Sequence, residues 1–349
     1  MNPVVHLHES HHPARSPRHG IGGFRAWAIA AIVLANLFAL TLGASALLQG
    51  RDLYRERAEL VAANYAEVLE ARIIEKIRVV DDAMLRAQWE VERQLQGGAI
   101  NGNQINTFLE RQTSQLPEIL GLRVIDADGV ARWGKDVKAA GGYLVMKDRD
   151  HFKAHASGGH EGLYVARPFL DRTTQTWAIP LSRAYRHPDG RFAGVVGAGL
   201  KVGSLEDMLR DFDIGRLGSL VLRHADMGLV TRHPPIDGPA GQPGHDKVSA
   251  EFKALIEAGQ PVASFHTANT PDGIERTYAF RRLPGLPLTL AVGMAHDEYL
   301  ATWRQEVLRV GLLLATFFLT TLIGAWLIRR YWLLRKISVD ALADRKSVV

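Results

Sequence analysis

The sequence predicts an α+β fold, in which a long N-terminal helix is followed by two similar units of strands and short helices, with an apolar helix on either side. The first observation is a pair of apolar stretches, residues 26–48 and 310–328. The second is the stretch 51–95, which has helical periodicity and contains neither glycine nor proline. The third is a pattern of strands and turns that occurs twice, at an offset of 98 residues (Leu220 minus Leu122). Two tandem units on one helix are the economical interpretation.

The composition is that of a folded protein, and it excludes several functions. Of the 349 residues, 47% are hydrophobic and 23% are charged, so the chain is neither disordered nor embedded in a membrane throughout. The formal net charge is +5, and much of the excess lies next to the apolar stretches, so it does not indicate nucleic-acid binding. There is no cysteine, which excludes disulfides, cysteine-ligated zinc and a thiol nucleophile.

The two apolar stretches are predicted to be transmembrane helices. Each is long enough, at about 1.5 Å per residue, to cross a hydrocarbon core of roughly 30 Å. Arginines precede residues 26–48, and arginines and a lysine follow residues 310–328, so the positive-inside rule places both termini in the cytoplasm. A cleaved signal peptide is the alternative for the first stretch, because residues 44–46 read Ala-Ser-Ala, but the apolar run exceeds the roughly 7–15 residues of a signal core.

The first 25 residues are predicted to be a disordered cytoplasmic tail. They are rich in proline, serine and arginine. The tail also contains five histidines, and histidine-rich tracts can bind metal, which is the alternative interpretation. The five are His6, His8, His11, His12 and His19.

The part between the apolar stretches begins with a helix and continues with hairpins. Apolar residues from Val61 to Leu95 recur at steps of three, four or seven, which is typical of one buried stripe on a long helix. The segment "LRVIDADGVARWG" predicts two strands joined by an Asp-Gly turn, and "HPDG" predicts the turn between "WAIPLSRAY" and "RFAGVVGAGL". The segment "VGSLEDMLRDF" follows as a short helix.

This organisation resembles the double-Cache (PDC, PAS-like) extracytoplasmic sensor domains of bacterial transmembrane signalling proteins. Most of the resemblance is carried by "KDRDHFKAHASGGHEGLYVARPFLDRTTQTWAIPLSRAYRHPDGRFAGVVGAGL", which is similar to sensors attached to diguanylate cyclases and histidine kinases. The resemblance implies a long N-terminal helix carrying two tandem PAS-like (Cache) units, flanked by two transmembrane helices. It also implies a homodimer in the bacterial inner (plasma) membrane, with residues 49–305 in the periplasm.

On this basis the chain is divided into seven segments. Residues 1–25 are the tail, 26–48 transmembrane helix 1, 49–98 the long periplasmic helix, 99–204 the membrane-distal PAS-like unit, 205–305 the membrane-proximal PAS-like unit, 306–328 transmembrane helix 2, and 329–349 a cytoplasmic linker.

The resemblance also implies where a ligand would bind. In such sensors the distal unit holds a small molecule between its sheet and a covering loop, which here is "YLVMKDRDHF". Arg149 would be the anchor, because a planar guanidinium forms paired hydrogen bonds to a carboxylate. Asp171 matches the aspartate that takes a ligand's ammonium group. The remaining candidates are His151 and the apolar walls Tyr143, Phe152, Tyr164 and Phe169.

The chain departs from the amino-acid-binding pattern, which resembles Arg-x-Trp-Tyr followed by Tyr-x-Asp. Here His151 replaces the tryptophan, and Phe152 and Phe169 lack the hydroxyl group. The expected ligand is therefore a small carboxylate or similar anion, or an amino acid. The alternative is that Arg149 and Asp171 pair with each other, or with backbone carbonyls, and hold the loop in place.

A metal site is a further alternative in the same region, because histidine together with carboxylate can hold a metal. A solvated loop and helix start explain the same residues and are the favoured interpretation, so neither a metal nor a cofactor is expected. The residues concerned are Asp148, Asp150, His151, His155 and His160.

The chain is expected to bind and signal, not to catalyse. It has no G-x-S-x-G elbow, no H-E-x-x-H motif and no phosphate loop. The expectation is a signal-input region truncated before its output domain, a diguanylate cyclase first and a histidine kinase second. A stand-alone membrane binding protein that acts through a partner is the alternative.

The last six residues, 344–349, read "DRKSVV", which a common sequencing-adapter sequence also encodes. The expectation is that the native gene continues past Ala343. The alternative is a genuine short basic tail.

Overall fold

The structure is a computed structural model that describes residues 21–139, 142–171 and 174–346. Residues 1–20 of the predicted disordered tail, and the last three residues of the hexapeptide 344–349, lie outside the described residues. The chain divides into two compact units. The terminal unit contains the chain up to Asp52 and from Thr302 onward. The central unit is Leu53–Ala301.

The elements follow one another along the chain as helices α1 to α7 and strands β1 to β13. In order they are α1 (Ile21–Gln96), α2 (Gly102–Ser114), β1 (Ile119–Asp126), β2 (Ala131–Gly134), β3 (Lys138–Ala139), β4 (Gly142–Tyr143), α3 (Asp150–Ala156), β5 (Tyr164–Val165), β6 (Phe169–Leu170), β7 (Trp177–Arg186), β8 (Phe192–Lys201), α4 (Val202–Arg210), β9 (Ser219–His224), β10 (Leu229–His233), α5 (Ala250–Glu257), β11 (Val262–Thr267), β12 (Arg276–Arg282), β13 (Leu288–Ala295), α6 (His296–Tyr299) and α7 (Ala301–Lys346). A short 3₁₀ turn lies at Pro239–Gly241.

The terminal unit consists of the first part of α1 and most of α7. Both helices are long and apolar enough to cross a membrane, with a mean hydropathy of 2.1 over their most apolar 18 residues. The Asn36 amide donates a hydrogen bond to the Thr321 hydroxyl at 3.2 Å, and the Trp303 indole donates to the Leu47 carbonyl at 2.8 Å. Length and composition alone are weak evidence of a membrane span.

The central unit contains two large antiparallel sheets of the same design and a small two-stranded sheet of β3 and β4. The distal sheet has the order β2-β1-β8-β7-β5, with β6 also paired to β7, and the proximal sheet has the order β10-β9-β13-β12-β11. In each sheet the first hairpin lies beside the second one, and the first strand of the unit pairs with its last strand. The predicted α+β class, the long N-terminal helix and the hairpins are confirmed.

Local turn chemistry explains where the distal hairpins reverse. In the turn between β1 and β2, the Asp126 carboxylate accepts hydrogen bonds from the N–H groups of Asp128 at 3.1 Å and Val130 at 2.8 Å. In the turn between β7 and β8, Gly190 has a φ of 84°, a conformation that glycine adopts without a steric penalty. These side-chain and glycine signals are local, so the sequence predicted both turns.

Helix α1 supplies one side of the main hydrophobic core. Its buried residues recur every three or four positions, as expected for one face of a helix. The predicted stripe is wrong at its beginning, because Val61 is 38% exposed and the buried positions there are Ala62 and Ala66. Alanine lets the helix backbone approach the sheets closely, whereas the hydropathy pattern favoured the larger valine. The buried stripe continues with Leu69, Ile73, Ile77, Val80, Ala83, Met84, Ala87 and Val91.

An arginine–carboxylate pair joins α1 to each sheet. Arg183 on β7 binds both carboxylate oxygens of Asp81, at 2.5 and 2.9 Å. Arg281 on β12 pairs with Glu70. Both pairs are only partly exposed, so they are screened less than surface ion pairs are. Each sheet is therefore positioned on α1 by apolar packing and by directional polar contacts, which on the distal sheet include a hydrogen bond from the Arg186 N–H to Glu92 at 3.0 Å.

Candidate ligand-binding site

A cavity of about 320 Å³ lies between the distal sheet and the segments that cover it. Its floor is formed by β1, β7 and β8, where Gly197, Ala198 and Gly199 leave room above the sheet. The cover consists of residues from 144–151 and from 166–171. Most of the covering loop predicted from the resemblance, residues 143–152, therefore lies over the sheet, and residues 166–171 complete the cover.

The cover is held by backbone hydrogen bonds and by a small hydrophobic cluster. The Met146 N–H donates to the Gly129 carbonyl at 2.7 Å, and the Arg149 N–H donates to the Met146 carbonyl at 3.0 Å. Phe152 is buried with Ile125, Ala131 and Val195, and this packing fixes the start of α3 against the sheet. The side chains at the start of α3 are thereby held over the cavity.

Arg149 lines the cavity and immediately precedes α3. Its guanidinium lies 5.6 Å from the centre of the Phe169 ring, a cation–π contact. Among the described residues it makes neither a side-chain hydrogen bond nor an ion pair, and it does not cap α3. Its hydrogen-bond donors are thus available to an anion inside the cavity. The expected alternative, in which Arg149 pairs with Asp171, is not what the described residues show.

His151 also lines the cavity. Its burial lowers the pKa of the imidazole to about 4, and the positive charge of Arg149 acts in the same direction. The ring is therefore neutral at neutral pH, and it can donate one hydrogen bond and accept another. Among the described residues, the guanidinium of Arg149 therefore lies in the cavity without an ion-pair partner, together with an uncharged polar ring.

Asp171 lines the same cavity and is only 4% exposed. One of its carboxylate oxygens accepts hydrogen bonds from the N–H of Thr174 at 2.9 Å and from the Thr174 hydroxyl at 3.1 Å. The other oxygen lies 3.7 Å from the guanidinium of Arg123. Asp171 thus holds its own turn as well as facing the cavity.

Arg123 is a cavity residue that sequence reasoning missed. It lies on β1, and its Nε donates to the Lys135 carbonyl at 3.0 Å. Its contact with Asp171 joins β1 to the turn after β6. No short-range pattern connects positions 48 residues apart, so only the pairing of β1 and β7 with β8 brings them together.

Of the seven predicted site residues, four line the cavity, namely Arg149, His151, Phe169 and Asp171. Phe152 lies in the cluster beneath α3 instead. Tyr164 packs edge-on against His155 and His160, with ring centres 6.1 and 5.2 Å away. Tyr143 is exposed and lies 5.5 Å from the Arg132 guanidinium. Whether any of the seven touches a ligand stays a prediction.

Two histidines of the alternative metal site, His155 and His160, are already bonded to other groups. His155 contacts the Ser182 hydroxyl at 3.1 Å through Nε2 and the His160 carbonyl at 3.2 Å through Nδ1. His160 contacts the Leu163 carbonyl at 2.9 Å. In the described part of the chain, the predicted cluster of five does not bring three ligand atoms together.

The proximal sheet also borders a cavity, of about 480 Å³, but its arginines are already engaged. Arg223 donates to the carbonyls of Met227 at 2.6 Å and His245 at 2.9 Å, and burial lowers its pKa to about 10. Arg232 pairs with Asp272 at 3.1 Å. The contrast with Arg149 favours the distal cavity as the anion site.

Comparison with known proteins supports the fold. No protein-family model matches the chain, and no curated protein matches its sequence. Among solved structures, the extracellular domain of rpHK1S-Z16, a protein described as a histidine kinase, is 24% identical with a TM-score of 0.59, and the match covers 71% of this chain and 98% of that one. The periplasmic sensory domain of the Campylobacter jejuni chemoreceptor Tlp1 is 11% identical with a TM-score of 0.58, over 70% and 98% of the two chains.

A third similar structure was determined with a ligand. It is the ligand-binding domain of the Pseudomonas fluorescens chemoreceptor CtaA in complex with L-isoleucine, 18% identical with a TM-score of 0.53, over 72% of this chain and 98% of that one. At these identities the similarity concerns the fold. The central unit has the two-sheet fold of the extracytoplasmic sensor domains of chemoreceptors and histidine kinases, and the resemblance predicted from the sequence is confirmed.

Proposed function

We propose that the chain is the signal-input region of a bacterial membrane-bound sensor, and that its distal cavity binds a small anion, foremost a carboxylate. The observation that carries this proposal is Arg149, a guanidinium that lines the cavity with no ion pair or side-chain hydrogen bond among the described residues. A guanidinium suits a carboxylate because it can bind one through two parallel hydrogen bonds. The neutral His151 beside it adds hydrogen bonds without changing the charge.

An amino acid is the second candidate. Asp171 faces the same cavity as Arg149, so the two could bind the two ends of a zwitterion. The hydrogen bonds from Thr174 and the contact with Arg123 already engage this carboxylate, which favours the simple carboxylate. The isoleucine bound to CtaA is the reason to include amino acids in the test.

The test is a thermal-shift screen of the full chain in detergent. The compounds are acetate, propionate, lactate, pyruvate and succinate on one side and L-isoleucine, L-valine and L-alanine on the other. A bound ligand raises Tm by mass action. We expect a carboxylate to do so in the wild type and not in Ala166→Phe, whose ring would fill the cavity. A rise that persists in Ala166→Phe would place the binding elsewhere, and a response to amino acids alone would favour the second candidate.

We also propose that α1 and α7 cross the bacterial inner membrane, with both termini in the cytoplasm and residues 49–305 in the periplasm. The length and hydropathy of the two helices and the basic residues beside the apolar stretches support this orientation. Two tandem Cache units in the central unit fit the same placement, because the similar solved domains are extracellular or periplasmic.

A homodimer through α1 is part of the same proposal. The side of α1 that does not contact the core exposes apolar side chains, including Leu60, Val68 and Trp89. A second copy of α1 would cover them, and a shift between paired helices can carry a signal along their axis.

Because the chain has no cysteine, single cysteines test orientation and pairing together. In intact spheroplasts, we expect a membrane-impermeant maleimide to label Ser157→Cys but not Leu333→Cys. A short bis-maleimide should join two copies of Val68→Cys and leave Ser157→Cys monomeric, since Ser157 lies at the end of α3. Labelling of Leu333→Cys from outside contradicts the orientation, and equal crosslinking of Val68→Cys and Ser157→Cys contradicts the α1 dimer.

The output is proposed to be a diguanylate cyclase, with a histidine kinase or a separate partner protein as alternatives. Helix α7 continues to Lys346, well past the apolar stretch that ends at residue 328, so it provides a helical connection on the cytoplasmic side. The central unit itself is proposed to have no enzymatic activity. Sequencing the source genome through codons 330–349 and beyond is the test. A reading frame with a Gly-Gly-Asp-Glu-Phe motif supports the cyclase, and a stop codon after Val349 contradicts an output on the same chain.

A further inference from the structure

Two histidines and a glutamate meet at one end of the proximal sheet. His266 is on β11, Glu275 immediately precedes β12, and His296 immediately follows β13 as the first residue of α6. The three strands are neighbours in the order β13-β12-β11, and the His296 N–H donates to the Glu275 carbonyl at 3.0 Å. One ligand atom from each side chain lies within 4.8 Å of the other two. Rigid sheet pairing therefore brings together three groups that are distant in sequence.

The distances are close to those of a metal-binding site. Nε2 of His266 lies 2.8 Å from a carboxylate oxygen of Glu275, and Nδ1 of His296 lies 3.9 Å from the same oxygen. A tetrahedral zinc ion with bonds of about 2.0–2.1 Å keeps its ligand atoms about 3.3–3.4 Å apart. The observed distances lie on either side of this value, so small rotations of the side chains would be sufficient to admit an ion.

One hydroxyl group holds the His266 ring in place, and a second one is bonded to the nitrogen of His296 that faces Glu275, so a metal ion would replace that second contact. The Nδ1 atom of His266 is 3.2 Å from the Thr277 hydroxyl, which leaves Nε2 directed at Glu275. The Tyr299 hydroxyl is 2.9 Å from Nδ1 of His296 and 3.4 Å from the Thr277 hydroxyl. A hydrogen bond at the other ring nitrogen fixes the tautomer and the orientation of a metal-binding histidine, as Thr277 does for His266.

Charge and access favour a cation. Glu275 contributes a carboxylate to the group, and Asp297 and Glu298 follow His296 in the first turn of α6. The side chains of His266 and Glu275 are 40% and 46% exposed, so a hydrated ion can reach them. The hydrogen bonds they now make cost little to exchange, because water can replace the lost partners.

We propose that His266, Glu275 and His296 bind a divalent transition-metal ion, with zinc the best fit. Two imidazoles and one carboxylate suit zinc, nickel or copper, whereas calcium and magnesium prefer oxygen ligands throughout. Three protein ligands leave one tetrahedral position to water. The ion would tie β11 and β12 to His296, which lies five residues before Ala301, where α7 begins. The site is separate from the distal cavity and independent of its ligand.

The test is a zinc titration of the full chain in detergent, in competition with a chromogenic chelator. All variants carry serine in place of the five tail histidines, so that the tail does not contribute. We expect one tight site per chain in this parent. His266→Ala, His296→Ala and Glu275→Gln each remove a direct ligand and should weaken zinc binding at least about 10-fold. Removing a residue that only hydrogen-bonds to a metal ligand already weakens binding by about 10-fold or more. His187→Ala, in the turn between β7 and β8, is the matched control and should bind zinc as the parent does.

Glu275→Gln keeps the shape of the side chain and removes its charge, so it separates metal binding from folding. A purely structural role for the cluster predicts a lower Tm without zinc and an unchanged zinc affinity. The proposal is overturned if the parent has no tight site, or if the three variants bind zinc as tightly as His187→Ala. Competition by millimolar magnesium or calcium would overturn the assignment to a transition metal.

Discussion

Replacing Asp272 with asparagine is expected to lower the free energy of unfolding by about 3–5 kcal/mol, because it leaves buried arginines without their counter-charge. Arg276 is only 1% exposed, and its two terminal nitrogens donate to the two carboxylate oxygens of Asp272, both at 2.8 Å. Arg232, which is 6% exposed, donates to the same carboxylate at 3.1 Å. One carboxylate therefore neutralises two guanidinium groups inside the proximal unit.

The same interaction predicts a sensitivity to acid. Burial raises the pKa of the Asp272 carboxyl, but the hydrogen bonds and charges of Arg276 and the charge of Arg232 outweigh it, so this pKa lies well below its usual range. A carboxyl group whose folded pKa is depressed contributes stability above its unfolded pKa of about 3.9, and loses it as the pH falls toward the folded pKa. The wild type should therefore lose stability below about pH 4, and Asp272→Asn should lack this part of the loss.

Thermal unfolding of the full chain in detergent measures both effects. For a unit of this size, a loss of about 3–5 kcal/mol corresponds to a decrease in Tm of roughly 6–20 °C at neutral pH. Asp207→Asn is the matched control, because Asp207 is 72% exposed in its pair with Arg210 and exposed pairs contribute about 0–1 kcal/mol. A Tm of Asp272→Asn within a degree or two of the control would show that the paired arginines do not depend on this carboxylate.

The parts of the fold that the sequence predicted depend on local patterns. The turn at Gly190 and the Asp126 turn are set by residues within a few positions, so their hairpins could be read directly. The stripe on α1 could be read because large apolar residues recur at helical spacing, and it was wrong at Val61 because small alanines carry the buried face there. Packing against a sheet depends on the size of each side chain as well as on its hydropathy. A pattern of hydropathy alone therefore does not predict where small side chains form the buried face.

The residues of the distal cavity come from segments that are distant in sequence, so the sequence alone does not define this site. Arg149 and Asp171 were found through the resemblance of their segment to known sensors, while Arg123 lies on another strand and was missed. The group of His266, Glu275 and His296 has no motif spacing, because its geometry depends on the register of three strands. Sheet register is a tertiary property, so residues that it brings together need a structure to be recognised.

Arg149→Ala is expected to weaken the binding of a carboxylate ligand by at least about 30-fold, because removing one partner of a buried charge pair costs about 2–5 kcal/mol. The unliganded protein should keep a Tm close to that of the wild type, since the Arg149 side chain neither caps α3 nor forms an ion pair among the described residues. Its contact with the Phe169 ring, at 5.6 Å, contributes about 0.5–1 kcal/mol. The measurement is isothermal titration of the full chain with the best carboxylate from the screen.

Two further variants decide what the arginine does. Arg149→Lys keeps the charge but loses the paired hydrogen bonds, so its affinity should lie between those of the wild type and Arg149→Ala. Arg191→Ala removes an exposed arginine from the turn between β7 and β8, and should bind as the wild type does. Because the pKa of His151 is about 4, the affinity should stay constant from about pH 5.5 to 8, where that ring is neutral. Undiminished binding by Arg149→Ala would remove the anchor and, with it, the main support for an anion site in the distal cavity.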